Sequence, residues 1–240
     1  MSAVLTLDNL RVPVETGGAT RKARLTIERD GSLRLRAGND VTQEELHSFL
    51  KAKRTWIYRK LAEKEALHFE PVTKELVDGE GFLYLGRSHQ LRIADTGRST
   101  VKLERGRLVY PQQALQRAHE PIIDWYRERG GAWLPRHIQE WASRLRVTVA
   151  DFDVRNLGHR WGTADARGRL RIHWATMQLR PSLVDYVLAH ELAHLREPHH
   201  GPVFWQLLAR VQPDYEDRKN ELGRVGSTIW LGASESSATQ

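Results

Sequence analysis

The sequence predicts an α+β fold, a β-rich N-terminal subdomain followed by a mixed domain built around one functional helix. Three observations carry this. Short alternating apolar runs with glycine turns fill the first 110 residues, long apolar stripes at helical spacing dominate after Pro111, and one of those stripes carries His190-Glu191-Leu192-Ala193-His194. The expected organisation is residues 1–110 as a β-rich subdomain with one helix, 111–231 as the second domain, and 232–240 as a small, polar, flexible tail.

In order along the chain, Leu25 and Ile27, then Leu33 and Leu35, alternate with polar residues, and Asp30-Gly31 between them is a hairpin turn signal. Residues 41–67 read as a helix that buries Leu46, Phe49, Leu50, Trp56, Ile57 and Leu61. Residues 82–86 and 90–93 suggest a strand pair, and Arg105-Gly106 a turn between 101–103 and 108–110. Residues 112–129 and 132–145 read as two helices broken at Gly130-Gly131, with Pro121 kinking or dividing the first. Trp125, Trp133 and Trp141 match a buried stripe rather than a stacking platform for bases. Residues 147–154 and 170–174 alternate as strands, with 158–168 between them as a loop. The second of these strands offers an edge along which an extended peptide could pair. Pro181 can open the next helix, and Pro198 should stop it about one turn after His194. Residues 203–211 and 213–222 close the domain.

Composition narrows the function classes. The chain has 240 residues, 40% hydrophobic and 28% charged, a profile that can bury a full core. It has no cysteine, which excludes disulfides, cysteine–zinc sites and thiol nucleophiles, and fits a reducing compartment. Neither a secretory signal nor a bilayer-length apolar run is visible, so the expected location is cytoplasmic with no membrane partner. The net charge of +7 is concentrated early: Lys51, Lys53, Arg54, Arg59, Lys60 and Lys64 on one helix, and Arg21, Lys22, Arg24, Arg29, Arg34 and Arg36 on neighbouring strands. This is either an ordinary solvated face or a surface for nucleic acid phosphates or acidic proteins.

The H-E-x-x-H pattern is the chemical signal. Histidines four apart share a helix face, so His190 and His194 can point at one metal ion. Glu191 can hold its carboxylate beside a water that the metal activates, which makes it the candidate general base. A catalytic zinc takes three protein ligands and keeps a fourth position open. The third ligand can come from His200 or His199, just past the proline stop, or from Glu216, Asp217 or Glu221 further on. Candidates for a donor to the substrate oxyanion are Arg160, His173, His199 and Tyr215. His159 and His173 more simply belong to a turn and a half-exposed strand. The expected activity is zinc-dependent hydrolysis of peptide bonds, with one Zn²⁺ per chain and a protein or peptide substrate. The alternative is a nucleic-acid-binding accessory protein with a structural zinc site.

The sequence also resembles the YgjP-like metallopeptidases, relatives of the SprT-like and WLM peptidases. Arg160-Trp161-Gly162-Thr163 is similar to that family's R-W-G-S segment, residues 185–195 to its D-Y-V-v-x-H-E-L-x-H-L core, and His200-Gly201-Pro202-Val203-Phe204-Trp205 to its H-s-x-x-F-W. Gly31, Trp56-Ile57, Asp78-Gly79-Glu80 and Tyr84-Leu85-Gly86 also have counterparts, so the likeness spans about residues 20–222. Ala164 stands where a cysteine is common, and His173 where an asparagine is common before Trp174. The resemblance implies a zincin-like metallopeptidase domain and places the third ligand at His200.

Overall fold

The computed structural model describes residues 3–8, 10–17, 23–27, 32–65, 72–158 and 160–232, with side chains for all of these except 3, 59 and 62–65. The Asp30-Gly31 turn, His159, the side chains of Arg21, Lys22, Arg29, Arg59 and Lys64, and tail residues 233–240 lie outside the described residues. The chain divides into two compact units, Met1–Pro71 and Val72–Gln240.

In the first unit, β1 (Ala3–Leu7), β2 (Leu10–Thr16), β3 (Arg24–Ile27) and β4 (Leu33–Ala37) form one sheet in the order β1-β2-β4-β3. β3 and β4 pair antiparallel as the alternation predicts, and β2 runs parallel to β4. Val12, Val14, Leu33, Leu35 and Ala37 point to one face and are buried with Leu46, Leu50 and Ile57 of α1 (Gln43–Glu65). Thr42 and Glu45 start that helix with reciprocal bonds: the Glu45 N–H donates to Thr42 Oγ1 at 3.2 Å and the Thr42 N–H to Glu45 Oε2 at 2.8 Å. Part of the basic excess is neutralised locally. Arg34 and Arg36 pair with Glu15, and Arg54 pairs with Asp8. Lys51 and Lys53 are exposed.

The second unit begins earlier than the sequence suggests. β5 (Gly81–Tyr84), β6 (Arg87–Ala94), β7 (Lys102–Glu104) and β8 (Arg107–Pro111) form a sheet in the order β5-β6-β8-β7. The sequence boundary near residue 110 assigns these strands to the N-terminal subdomain. Their Phe82, Leu91, Leu108 and Tyr110, with Val101 just before β7, instead share one apolar core with the helices that follow. A shared core, not a run of similar elements, sets a domain boundary. Leu85-Gly86 and Arg105-Gly106 make the two hairpin turns, each pair at positive φ (48° and 79° in both).

A short 3-10 stretch, Gln112–Arg117, leads into α2 (Glu120–Leu145), one continuous helix of 26 residues. Gly130-Gly131 does not break it, and Pro121 sits in its first turn, where no hydrogen bond is lost. The reason is packing: a Cβ on Gly130 would lie 3.0 Å from Val154 Cγ2 and 3.4 Å from Met177 Cγ, so the bare backbone lets the sheet approach. Trp125 and Trp141 are buried as expected, while Trp133 is partly buried and stacks on His137. Next come β9 (Asp151–Arg155), β10 (Gly162–Ala164) and β11 (Arg169–His173), in the order β10-β11-β9. The segment expected to be a loop therefore contains an edge strand. β11 is central, paired on both sides, and offers no free edge.

The 3-10 stretch Trp174–Gln178 feeds α3 (Pro181–Ala193), which is followed by α4 (Pro202–Val211) and α5 (Tyr215–Val225). Pro181 opens α3 as predicted. Its regular part ends at Ala193, so His194 stands at the C-cap, a turn earlier than Pro198 alone implies. Gly86 abuts the other end: a Cβ there would meet Arg180 Cβ at 2.9 Å, and the Leu85 and Gly86 N–H groups donate to Met177 and Gln178 carbonyls. The β5–β6 turn thereby fixes where α3 begins. Among the described residues no helix is long and apolar enough to cross a membrane.

Candidate metal centre

α3 is apolar on nearly every side. Leu183, Val184, Val187, Leu188, Ala189, Leu192 and Ala193 are buried, so its two histidines and one glutamate are held by a rigid packed element. His190 and His194 leave one face one turn apart, their ring centroids 5.0 Å from each other. The chain turns through 194–201, and His200 comes back to the same point. His200 Nε2 lies 2.9 Å from His190 Nε2, and the His194 and His200 rings are 4.5 Å apart. One ligand atom from each of the three lies within 4.8 Å of the others. Phe204 packs against all three rings at 4.6–5.0 Å.

These rings suit a divalent cation. Burial lowers the pKa of all three, that of His190 to about 3, and each ring is also disfavoured as a cation by its histidine neighbours. Neutral imidazoles are the ligating form. His194 Nδ1 lies 3.2 Å from the Glu197 carbonyl, which accepts its N–H and leaves the Nε2 lone pair for the cluster. His190 Nδ1 is buried with no hydrogen-bond partner among the described residues. Three donors converge without a fourth His, Asp or Glu among the described residues, the donor set of an open rather than a closed site.

Sequence reasoning left the third position open among five residues, and the structure brings only His200 to the cluster. His199 is exposed and acts on His194 through charge alone. Glu221 is engaged with Arg180 and Arg218, and Glu216 accepts from the Tyr215 hydroxyl. The Glu191 side chain lies against β10. Burial pushes its pKa up to about 7, against the pull of the Arg160 guanidinium. Gly162 makes room for it: a Cβ there would lie 2.6 Å from Glu191 Cγ.

Of the candidate oxyanion donors, Arg160 is close enough to Glu191 to act on its charge. His173 is not available. It is 1% exposed, its Nδ1 accepts the Ala175 N–H and its Nε2 meets Asn156 Oδ1, so it caps the 3-10 turn before α3. Tyr215 stacks on Trp205, which stacks on His200 and donates its Nε1–H to the His200 carbonyl at 3.2 Å. Trp205, Phe204 and Lys219, whose Nζ sits 4.7 Å over the Trp205 ring, escaped sequence reasoning as site residues. So did Tyr186, whose pKa burial and the nearby Glu191 push up to about 12. Its position one helical turn before His190 was the available signal.

The family model for the YgjP-like metallopeptidase domain matches residues 21–225. The chain belongs to the YgjP-like metallopeptidase family. The match reaches into both compact units and includes the whole histidine cluster of this YgjP-like chain. A solved structure of the metallopeptidase zymogen abylysin from Pyrococcus abyssi aligns with 37% of this chain and 90% of its own, at 20% identity and a TM-score of 0.35. No curated protein matches the chain.

Proposed function

We propose that the protein is a zinc-dependent peptidase with His190, His194 and His200 as metal ligands and Glu191 as general base. The convergence of three neutral imidazoles beside a buried carboxylate carries this reading. A bound Zn²⁺ would supply Lewis acidity, lowering the pKa of a water and polarising the scissile carbonyl. The protein's own groups do the rest. Glu191, tuned toward neutrality by burial, accepts a proton from the attacking water and passes it to the leaving nitrogen. Arg160 offers its guanidinium to the developing oxyanion. The free edge of β10 runs beside Glu191 and can pair with an extended peptide, so recognition reads main chain more than side chains. Three ligands without a fourth weigh against a purely structural zinc in a nucleic-acid accessory protein.

Glu191→Gln tests the assignment. The variant should retain bound metal and lose at least about a thousandfold in turnover of a generic protein substrate, the order expected when a proton-transfer group is removed. Cleavage at the wild-type rate by the metal-loaded variant removes Glu191 from the role of base.

A further inference from the structure

Away from the histidine cluster, an open cleft of about 650 Å³ is lined by Arg144, Arg146, Arg196, Leu207, Arg210 and Val211. Four of these six residues are arginines and none is acidic, so the cleft concentrates positive charge. Two of the guanidiniums are positioned by the fold. Arg144 pairs with Glu140 and lies over the Trp141 ring, 4.6 Å from its centroid. Arg196 donates from Nη1 to the Leu145 carbonyl at 3.2 Å. Arg146 and Arg210 are exposed and have no carboxylate partner among the described residues.

A second observation concerns Arg146 itself. It ends α2 in the left-handed conformation, φ 54° and ψ 50°. Glycine adopts that conformation freely, whereas a side chain there costs about 1–2 kcal/mol. The fold thus keeps an arginine at a glycine-favoured cap that borders the cleft. An anion in the cleft would offset the like charge of Arg146 and Arg210.

We propose that this cleft binds closely spaced phosphate groups. A single carboxylate would leave most of the charge uncompensated. Guanidinium forks match phosphate oxygens two at a time, and several arginines around one cleft match several phosphates on one ligand. Leu207 and Val211, one turn apart on α4, supply the apolar part of the lining.

The test titrates the full chain with sodium tripolyphosphate by calorimetry and with a fluorescein-labelled oligothymidylate by anisotropy, each at about 50 and 200 mM salt. Arg146→Gly combined with Arg210→Ala should weaken binding about tenfold or more and flatten the oligonucleotide's salt slope by roughly 0.7 for each phosphate the variant no longer neutralises. Because Arg146→Gly relieves the left-handed strain, its melting temperature should not fall, which separates lost binding from lost fold. Binding of tripolyphosphate alone assigns a compact polyphosphate, and binding of the oligonucleotide alone assigns a phosphodiester chain. Binding of neither probe overturns the proposal. So does undiminished binding in the double variant, or an equal loss in Lys51→Ala/Lys53→Ala, which would move the site to the first unit.

Discussion

Gly162 on β10 and Glu191 on α3 are in mutual contact so close that any side chain at 162 would require Glu191 to move. A Cβ there would lie 2.6 Å from Glu191 Cγ, 3.1 Å from Cδ and 3.2 Å from the Arg171 carbonyl. Gly162 does not have a positive φ, so space and not backbone conformation demands glycine. Gly162→Ala must therefore push the carboxylate from its position. Its turnover should fall by about a hundredfold, the scale expected when a reacting group is misplaced by about 1 Å, while metal content stays at the wild-type level. Steady-state kinetics beside metal analysis checks this, and wild-type turnover would show that the glutamate's position is not limiting.

The proposed third ligand separates two adjacent histidines. His200 reaches the cluster, and His199 is exposed outside it. Three-ligand sites lose most of their affinity when one ligand is removed. His200→Ala should lower metal affinity by several orders of magnitude, and His199→Ala should leave it within about twofold. Competition with a chromogenic chelator reads both.

Trp205 holds the backbone of His200 through its Nε1–H and covers the ring by stacking. Trp205→Phe keeps an aromatic face and removes only the donor. Metal affinity should fall by about tenfold to a hundredfold, in line with loss of a group that orients a ligand. Trp205→Ala should lose more, because the stack goes too. Equal affinities in wild type and Trp205→Phe would reduce the indole to packing.

Much of this site is legible from the sequence because its key spacing is local. His190, Glu191 and His194 need only the helical period, and Pro181 is visible as a start signal. His200 is different. The proline break shows that the chain turns, but residue spacing cannot tell His199 from His200, and the family resemblance was needed to choose. What the sequence hides is tertiary. Gly130-Gly131 has the composition of a break, yet Gly130 lies inside a helix because Val154 and Met177 press against it. The strand Gly162–Ala164 is three residues long, too short for alternation to register, and it exists because β11 supplies its partners. His173 reads as a polar strand residue, and only the fold shows both of its nitrogens engaged.

Opposed pH dependences of stability should be measurable in the metal-free protein. Glu191 has a folded pKa raised to about 7 from 4.5. The neutral acid is favoured in the fold, so this contribution is fully present below pH 4.5 and is lost as pH rises through 7. Glu191→Gln lacks the titration. It should be more stable than wild type at pH 8 by on the order of 3 kcal/mol, with no difference near pH 4.5. Chemical denaturation with a chelator present reads both values.

His190 runs the other way. Its folded pKa is depressed to about 3 from 6.5, chiefly by burial and then by His194 and His200. The unfolded chain takes up a proton below pH 6.5 that the fold refuses, so stability present above 6.5 is lost progressively as pH falls toward 3. His190→Gln cannot follow that course. Between pH 6.5 and pH 4 the metal-free wild type should lose on the order of 3 kcal/mol more than the variant. Parallel curves for the two proteins would mean that His190 is hydrated in the absence of metal, and the packed, neutral ring described for the cluster would be wrong.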